Sequence, residues 1–337
     1  MHMADALISP LVGGAMYLAA AKAGSVSIKG IRQQLDESRI PLMGVMGAFV
    51  FAAQMINFSI PGTGSSGHLG GGMLLAAILG PYAGFLAMAS ILLIQALFFA
   101  DGGLLALGCN IINLGFYTCF VTYPFIYKRI LHKGYSTARI TLASMAASIL
   151  GLQLGAFSVV IQTMLSGVIE MPFILFLALM QSIHLAIGIV EGLITAAVIN
   201  FVWRARPELL EGAEAEQKAA GTVPVKRVLV VFIAAALLIG GILSWYASAN
   251  PDGLEWALYN SAGTESGNNG IIHKKAAQLQ EKSALLPDYG FKDGTEALAR
   301  TATSFSGVLG SVIVLIIAAG IGKLIKASSK RTNGKNV

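Results

Sequence analysis

Nine separate runs of apolar residues, each broken by only a few polar side chains, constrain this chain more than any other feature. They fall at about 6–23, 41–58, 69–80, 82–99, 104–127, 138–165, 171–203, 227–248 and 305–326. A helix needs roughly 20 such residues to cross a bilayer. Inside hydrocarbon the backbone must satisfy its own hydrogen bonds, which a helix does. The expected architecture is therefore all-α: a polytopic membrane helix bundle with about nine transmembrane helices, seven plus two, the third short and glycine-rich. With 55% of its 337 residues hydrophobic and 12% charged, the chain is not an ordinary soluble enzyme.

Basic residues set the orientation. Lys22, Lys29, Arg32 and Arg39 follow the first run, Lys128, Arg129, Lys133 and Arg139 the fifth, Arg204, Arg206, Lys226 and Arg227 the seventh, and Lys323 to Lys335 the ninth. If each run crosses once, all four clusters share a side, which the positive-inside rule makes cytoplasmic. Met1, residues 59–68, Asp101, Glu170 and residues 249–304 then lie outside, giving an extracytoplasmic N-terminus and a cytoplasmic C-terminus. The formal net charge of +6 is explained by topology, so nucleic acid is not an expected partner. The polar stretch 205–226 separates a membrane domain, 1–204, from a two-span unit, 227–337, whose outer loop is 249–304. Small residues recur at i+4 as Ala15, Ala19 and Ala23 and as Gly44 and Ala48, suiting either internal packing or a docked partner helix. Cys109 and Cys119 sit in one apolar stretch and suggest neither disulfide nor metal cluster. No internal repeat stands out, which weakens the case for a secondary transporter built from inverted halves.

Three groups of residues have the chemistry for a site. The chain opens "MHMADALISP", without the basic region of a secretory leader and with Asp5 inside it. The Met1 amine, the His2 amide nitrogen and the His2 imidazole would close a five- and then a six-membered chelate ring around one metal ion. A deprotonated amide ligand favours Ni(II) or Cu(II) in a square plane over Zn(II). An ordinary polar His2 is the bland alternative. The second group is "PGTGSSGHLGGG", residues 61–72, which lacks the Lys of a phosphate loop but presents His68 on the side of His2. The third lies within the apolar runs: Asn110, Asn113, His184 and Glu191, the last two on one helix face. No nucleophile or zinc motif accompanies them, so support of helix packing or of a site is the expected role. His132 and His273 are expected to be solvated. In the outer loop, Asp252 and Glu255 have the spacing of a helix capping box, which explains both acids without a ligand role.

The stretches "MHMADALISP", "NFSIPGTGSSGHLGG", "DGGLLALGCNIINLG" and "HLAIGIVEGLITA" resemble the substrate-binding membrane component of energy-coupling-factor transporters for nickel and cobalt, the CbiM/NikM type. Residues 227–326, carrying "NPDGLEWAL", resemble its companion N-type unit of the PDGLE kind. The chain departs from the family at Val190-Glu191-Gly192, where Gly-Glu-Gly is common, and in the spacing before His68. The resemblance implies a fused M plus N protein of a prokaryotic inner or plasma membrane that imports Ni(II), or alternatively Co(II), as substrate and holds no organic cofactor. It implies Met1, His2 and His68 as metal ligands. It also implies a T-type transmembrane partner with ATP-binding cassette ATPases, since this chain has no phosphate loop of its own. Asp5, Ser66, Asn110, Asn113, His184 and Glu191 are candidates for supporting the site or lining the ion's path, and Asp252 and Glu255 for an accessory contact. The two-span unit is expected to help load the ion. An ion-coupled secondary transporter using His184 and Glu191, or an intramembrane enzyme, remains as an alternative.

Overall fold

In the computed structural model, residues 2–34, 39–168, 172–210, 223–262, 270–293, 295 and 298–333 are described. Met1, Glu170, Lys335 and most of the 205–226 stretch lie outside them. The helices are α1 (Pro10–Gln34), α2 (Ile40–Gln54), α3 (Gly72–Leu79), α4 (Pro81–Phe98), α5 (Leu107–Leu131), α6 (Thr137–Ser166), α7 (Phe173–Ala205) and α8 (Val225–Gly241). Two short helices follow, α9 (Gly253–Ala262) and α10 (Ile271–Ser283), and α11 (Ala299–Asn333) ends the described chain. The only sheet among the described residues is a two-residue pairing of β1 (Phe58–Ser59) with β2 (Ser66–Gly67).

All nine apolar runs become helical, but they do not make nine equal spans. Six helices, α1, α4, α5, α6, α7 and α11, are long and apolar enough to cross a membrane. The apolar helix α2 has 15 residues, and α8 has 17. The third run fails as a span: α3 has 8 residues, roughly 12 Å at 1.5 Å per residue against a hydrocarbon core of about 30 Å. Glycines stop it at both ends, Gly71 and Gly80 having φ of +77° and +83°. After Gly80 the chain reverses into α4, whose Gly84 lies so close that a Cβ there would be 2.9 Å from the Ala76 backbone nitrogen. Ahead of α3, loop 55–71 dips into the protein, with residues 65–68, 70 and 71 buried.

Small residues bring the helices together. On α7, Gly188 and Gly192 face the backbone of Ile149 and Met145 on α6. Gln153 and Gln181 donate to each other's backbone carbonyls at 3.1 and 3.2 Å. Gly44 on α2 packs against the Leu315 carbonyl of α11, so the last helix sits on the second. Of the other stripe, Ala23 is buried while Ala15 and Ala19 are exposed, so internal packing accounts for only part of it. One stretch departs from a plain α-helix: within α5, residues Ile112–Tyr127 form a wider π-helix that includes Pro124. No sequence cue marks it.

Basic residues meet at one end. Arg32 donates to Ser328, Arg39 to the Glu208 carbonyl and Arg204 to Thr137, joining α1 to α11, the start of α2 to the end of α7, and α7 to α6. The opposite end gathers the N-terminal segment, the dipping loop and residues 242–262 and 270–293.

The Gly84 contact sets a test. Gly84→Val should lower stability by about 1–3 kcal/mol, read as a lower unfolding midpoint in detergent. Gly14→Ala, which adds a Cβ with no atom within 4 Å, should leave the midpoint in place.

Candidate functional site

The dipping loop is held by polar side chains from the apolar helices. Glu191 on α7 accepts from the Gly70 and Gly71 amides at 2.6 and 3.2 Å. Gln54 at the end of α2 donates to the Gly70 carbonyl at 2.7 Å. A lower-dielectric surround strengthens such bonds and penalises their loss. His68, two residues before the clamp's grip begins at Gly70, is thereby fixed at 9% exposure, with Nδ1 donating to the Leu69 carbonyl at 3.0 Å.

The N-terminal segment arrives beside it. Asn110 accepts from the Met3 amide at 2.8 Å and donates to the Met3 carbonyl at 3.2 Å, holding both sides of that backbone. Asn113 exchanges amide bonds with Gln162 and contacts the Met3 sulfur. Asp5 accepts from the Ala106 amide at 3.0 Å, securing the same segment one step farther along. The His2 ring consequently stacks on that of His68, centroids 4.8 Å apart and planes 17° from parallel. His2 Nε2 is 3.2 Å from the Gln95 side-chain oxygen, an acceptor, which assigns the proton to Nε2. Nδ1, the chelating nitrogen in the ring scheme above, is left facing Asp101 at 3.4 Å.

Burial lowers the pKa of both imidazoles and so keeps them neutral, with Asp101 pulling the other way. Asp252 is pulled below the usual carboxylate range. Burial alone would raise it, but the positive charge of the N-terminal amine and the backbone amide of Glu255 overcome that effect. Asp5 is raised by burial, with its amide bonds opposing.

Residues 242–262 and 270–293 cover this end. Asp252 Oδ1 accepts from the Leu254 and Glu255 amides, both at 2.8 Å, and Glu255 accepts from the Asp252 amide at 3.2 Å, a complete capping box at the start of α9. Ser66 donates through its hydroxyl to the Asn250 carbonyl at 2.8 Å. Its amide donates to the Pro251 carbonyl at 2.8 Å, so it ties the dipping loop to the outer region. His184 is 1% exposed, its Nδ1 donating to the Met180 carbonyl at 2.7 Å. His132 is exposed, as expected from the sequence. His273 is not solvated: it is 7% exposed and bonded through Nε2 to the Ile8 carbonyl at 2.9 Å, because α10 packs on the N-terminal segment.

Several residues at the site escaped the sequence reading. Gln95 bonds His2 and donates to Gln54 at 2.9 Å and to the Tyr289 hydroxyl at 3.4 Å. Tyr289 donates to Asp101 at 2.6 Å and stacks on Phe99. A lone glutamine within "ILLIQALFF" was the available signal, since a polar group amid lipid-depth residues needs a partner. Asp101, Asp252, His2 and His68 share one open cleft. Among the described residues, no three His, Cys, Asp or Glu side chains stand in position to hold a metal ion by themselves.

Long apolar helices around a polar cleft, with two stacked imidazoles at its floor, define a multi-pass membrane protein with a small nitrogen-rich site at one end. The chain belongs to the CbiM family, described as the cobalt uptake substrate-specific transmembrane region, whose model matches residues 2–209, and a PDGLE domain is matched over 226–327. A relative from Archaeoglobus fulgidus, provisionally named a fused nickel transport protein NikMN, is 35% identical over 94% of this chain and 96% of its own. A cobalt transport protein CbiM from Geobacter sulfurreducens is 29% identical over 72% of this chain and 71% of its own. The crystal structure of a truncated transition metal transporter has a TM-score of 0.54 and 31% identity, covering 60% of this chain and 98% of that one. The chain is thus a substrate-specific membrane component of nickel/cobalt uptake of the energy-coupling-factor type, a transport component rather than an enzyme.

The loop clamp sets the next test. Glu191→Ala leaves two buried amides unpaired and should cost about 3 kcal/mol, at roughly 1–3 per orphaned group. Glu191→Gln, which keeps one acceptor, should cost clearly less. Unfolding midpoints and proteolysis of loop 55–71 read both.

Proposed function

We propose that this protein captures Ni(II) at the extracytoplasmic end of the bundle and delivers it to the cytoplasm, with Co(II) as the competing substrate. The observation that supports it most is the stacking of His2 on His68, two imidazoles 66 residues apart held by separate sets of buried amides and carboxylates. The ligand set in this reading is the His2 amide nitrogen and imidazole, the His68 imidazole, and the amine of Met1, which lies outside the described residues. Two of the four nitrogens are not side-chain atoms, which is why side chains alone need not form a metal cluster. Residues 1–204 act as the binding domain and 227–337 as the accessory unit, joined by 205–226. The accessory role is supported by the bonds from Tyr289 to Asp101 and from the Ser66 amide to Pro251.

Nickel over cobalt is supported by the fused arrangement shared with the Archaeoglobus relative; the family's own description favours cobalt. The basic end faces the cytoplasm in this reading. Along α1, the exposed Ala15 and Ala19 face is available to a T-type partner that couples to ATP-binding cassette ATPases. A divalent cation moving inward gains roughly 4.6 kcal/mol per 100 mV, twice the single-charge value. Entry is favourable, and release from tight nitrogen ligands is the step that needs ATP-driven motion.

Two outcomes are expected. Purified protein exposed to equal nickel and cobalt should load nickel, by mass spectrometry, and a chain extended by one alanine before Met1 should bind nickel much more weakly; equal nickel affinity of both chains would remove the terminal amine from the set. Proton competition gives the second. The amine, with a reference pKa of about 8, and the amide must both lose protons, so nickel affinity should fall steeply as pH drops from about 8 to about 6. A flat isotherm over that interval would reject this ligand set.

A further inference from the structure

A second, small cavity adjoins the open cleft at His68. His68, His184 and Asp252 line it, and Leu152 and Ile187 form its apolar walls. His68 and Asp252 also line the cleft, so these two residues are the partition between the two spaces. His184 is the first imidazole beyond the partition.

The two histidines share one chemical arrangement. Each donates its Nδ1 proton to a backbone carbonyl, His68 to Leu69 at 3.0 Å and His184 to Met180 at 2.7 Å. Each therefore carries its lone pair on Nε2, and both Nε2 atoms are buried without a hydrogen-bond partner. Metal-binding histidines adopt this same state: the distal N–H is held by an oxygen, which fixes the ring and raises the basicity of the ligating nitrogen. Core histidines that serve packing alone satisfy both nitrogens when they can. His184 is 1% exposed in an apolar helix, where an ionisable group needs a reason. Asp252 adds a carboxylate whose Oδ1 caps α9 and whose charge offsets that of a cation.

We propose that this cavity is a second station for the transported divalent cation, held by His68 Nε2, His184 Nε2 and the Asp252 carboxylate. It rests on the capture reading above, and it names the next stop on the ion's path. The three groups do not yet meet at one point, so the station closes by a small side-chain or helix shift, and His68, which borders both spaces, is the ligand common to both. Two neutral imidazoles and a carboxylate suit four- or five-coordinate Co(II), Ni(II) or Zn(II). Without an amide nitrogen, such a set holds Ni(II) less tightly than the capture ligands do, as an ion on its way to release requires.

The test disables capture and looks for what remains. Full-length His2→Ala protein in lipid nanodiscs, titrated with Co(II), should bind one ion per chain and develop the visible absorption band of a low-coordinate site. Adding His184→Gln should weaken that binding at least tenfold. Should the double variant unfold early, the His2→Ala chain with 15N-labelled histidine decides alone: Zn(II) should shift the His184 Nε2 resonance. No ion bound by the His2→Ala chain, equal binding after His184→Gln, or an unmoved resonance overturns the second station. Failure of the capture reading shows separately, as native and His2→Ala chains that bind nickel with the same affinity.

Discussion

Everything at the polar end depends on one carboxylate holding two backbone amides. Glu191 stands 18 residues along α7 from Phe173, roughly 27 Å by helical rise, yet it binds Gly70 and Gly71 of a loop. Irregular backbone at that depth is tolerated only where protein satisfies its polar groups. Glu191 and Gln54 do so from two helices, and the glycines let the chain pass where a Cβ at Gly71 would meet Val50 at 2.4 Å. Take the carboxylate away and His68 loses its anchor. The cost of burying this acid is the cost of having a loop inside the bundle at all.

The second dependence runs between the two matched segments. His2 faces Asp101 and Gln95, and both of these bond Tyr289, which comes from the far end of the chain. Tyr289 itself sits at φ +60°, beside Asp288 at +49°, a left-handed pair that carries strain in residues other than glycine. Ser306 on α11 donates to the Tyr289 carbonyl and holds it there. The backbone amides of Leu286 and Asp288 bond the Phe98 and Phe99 carbonyls beyond α4. The accessory region thus sets the walls of the cleft and the surroundings of His2 at the same time.

Much of this was legible in the sequence, for identifiable reasons. Apolar runs announce membrane helices because lipid leaves no other solution, and the sorting of basic residues announced which helix ends meet. The capping box at Asp252 and Glu255 is local chemistry and reads off a spacing of three. His2 and His68 stood out as polar residues on one side of the membrane. What the sequence withheld depends on distance in three dimensions. Residues 59–68 read as an outer loop between two apolar runs, and no local pattern shows that Glu191 and Gln54 draw the glycines after them into the bundle. The burial of His273 follows from α10 lying against the N-terminal segment, which no local pattern encodes. Gln95 and Tyr289 act through partners 41 to 194 residues away.

Gln280 also fixes an order of events. Its single side chain donates to the carbonyls of Ala96 and Gly102, closing the end of α4 and the turn after it. A ribosome releases α4 long before it reaches position 280, and chains fold from the N-terminus as they emerge. Until then those carbonyls have only water or lipid headgroups to turn to, and the cleft has no roof. The binding end of this protein therefore matures late, although His2 at its floor belongs to the earliest part of the chain.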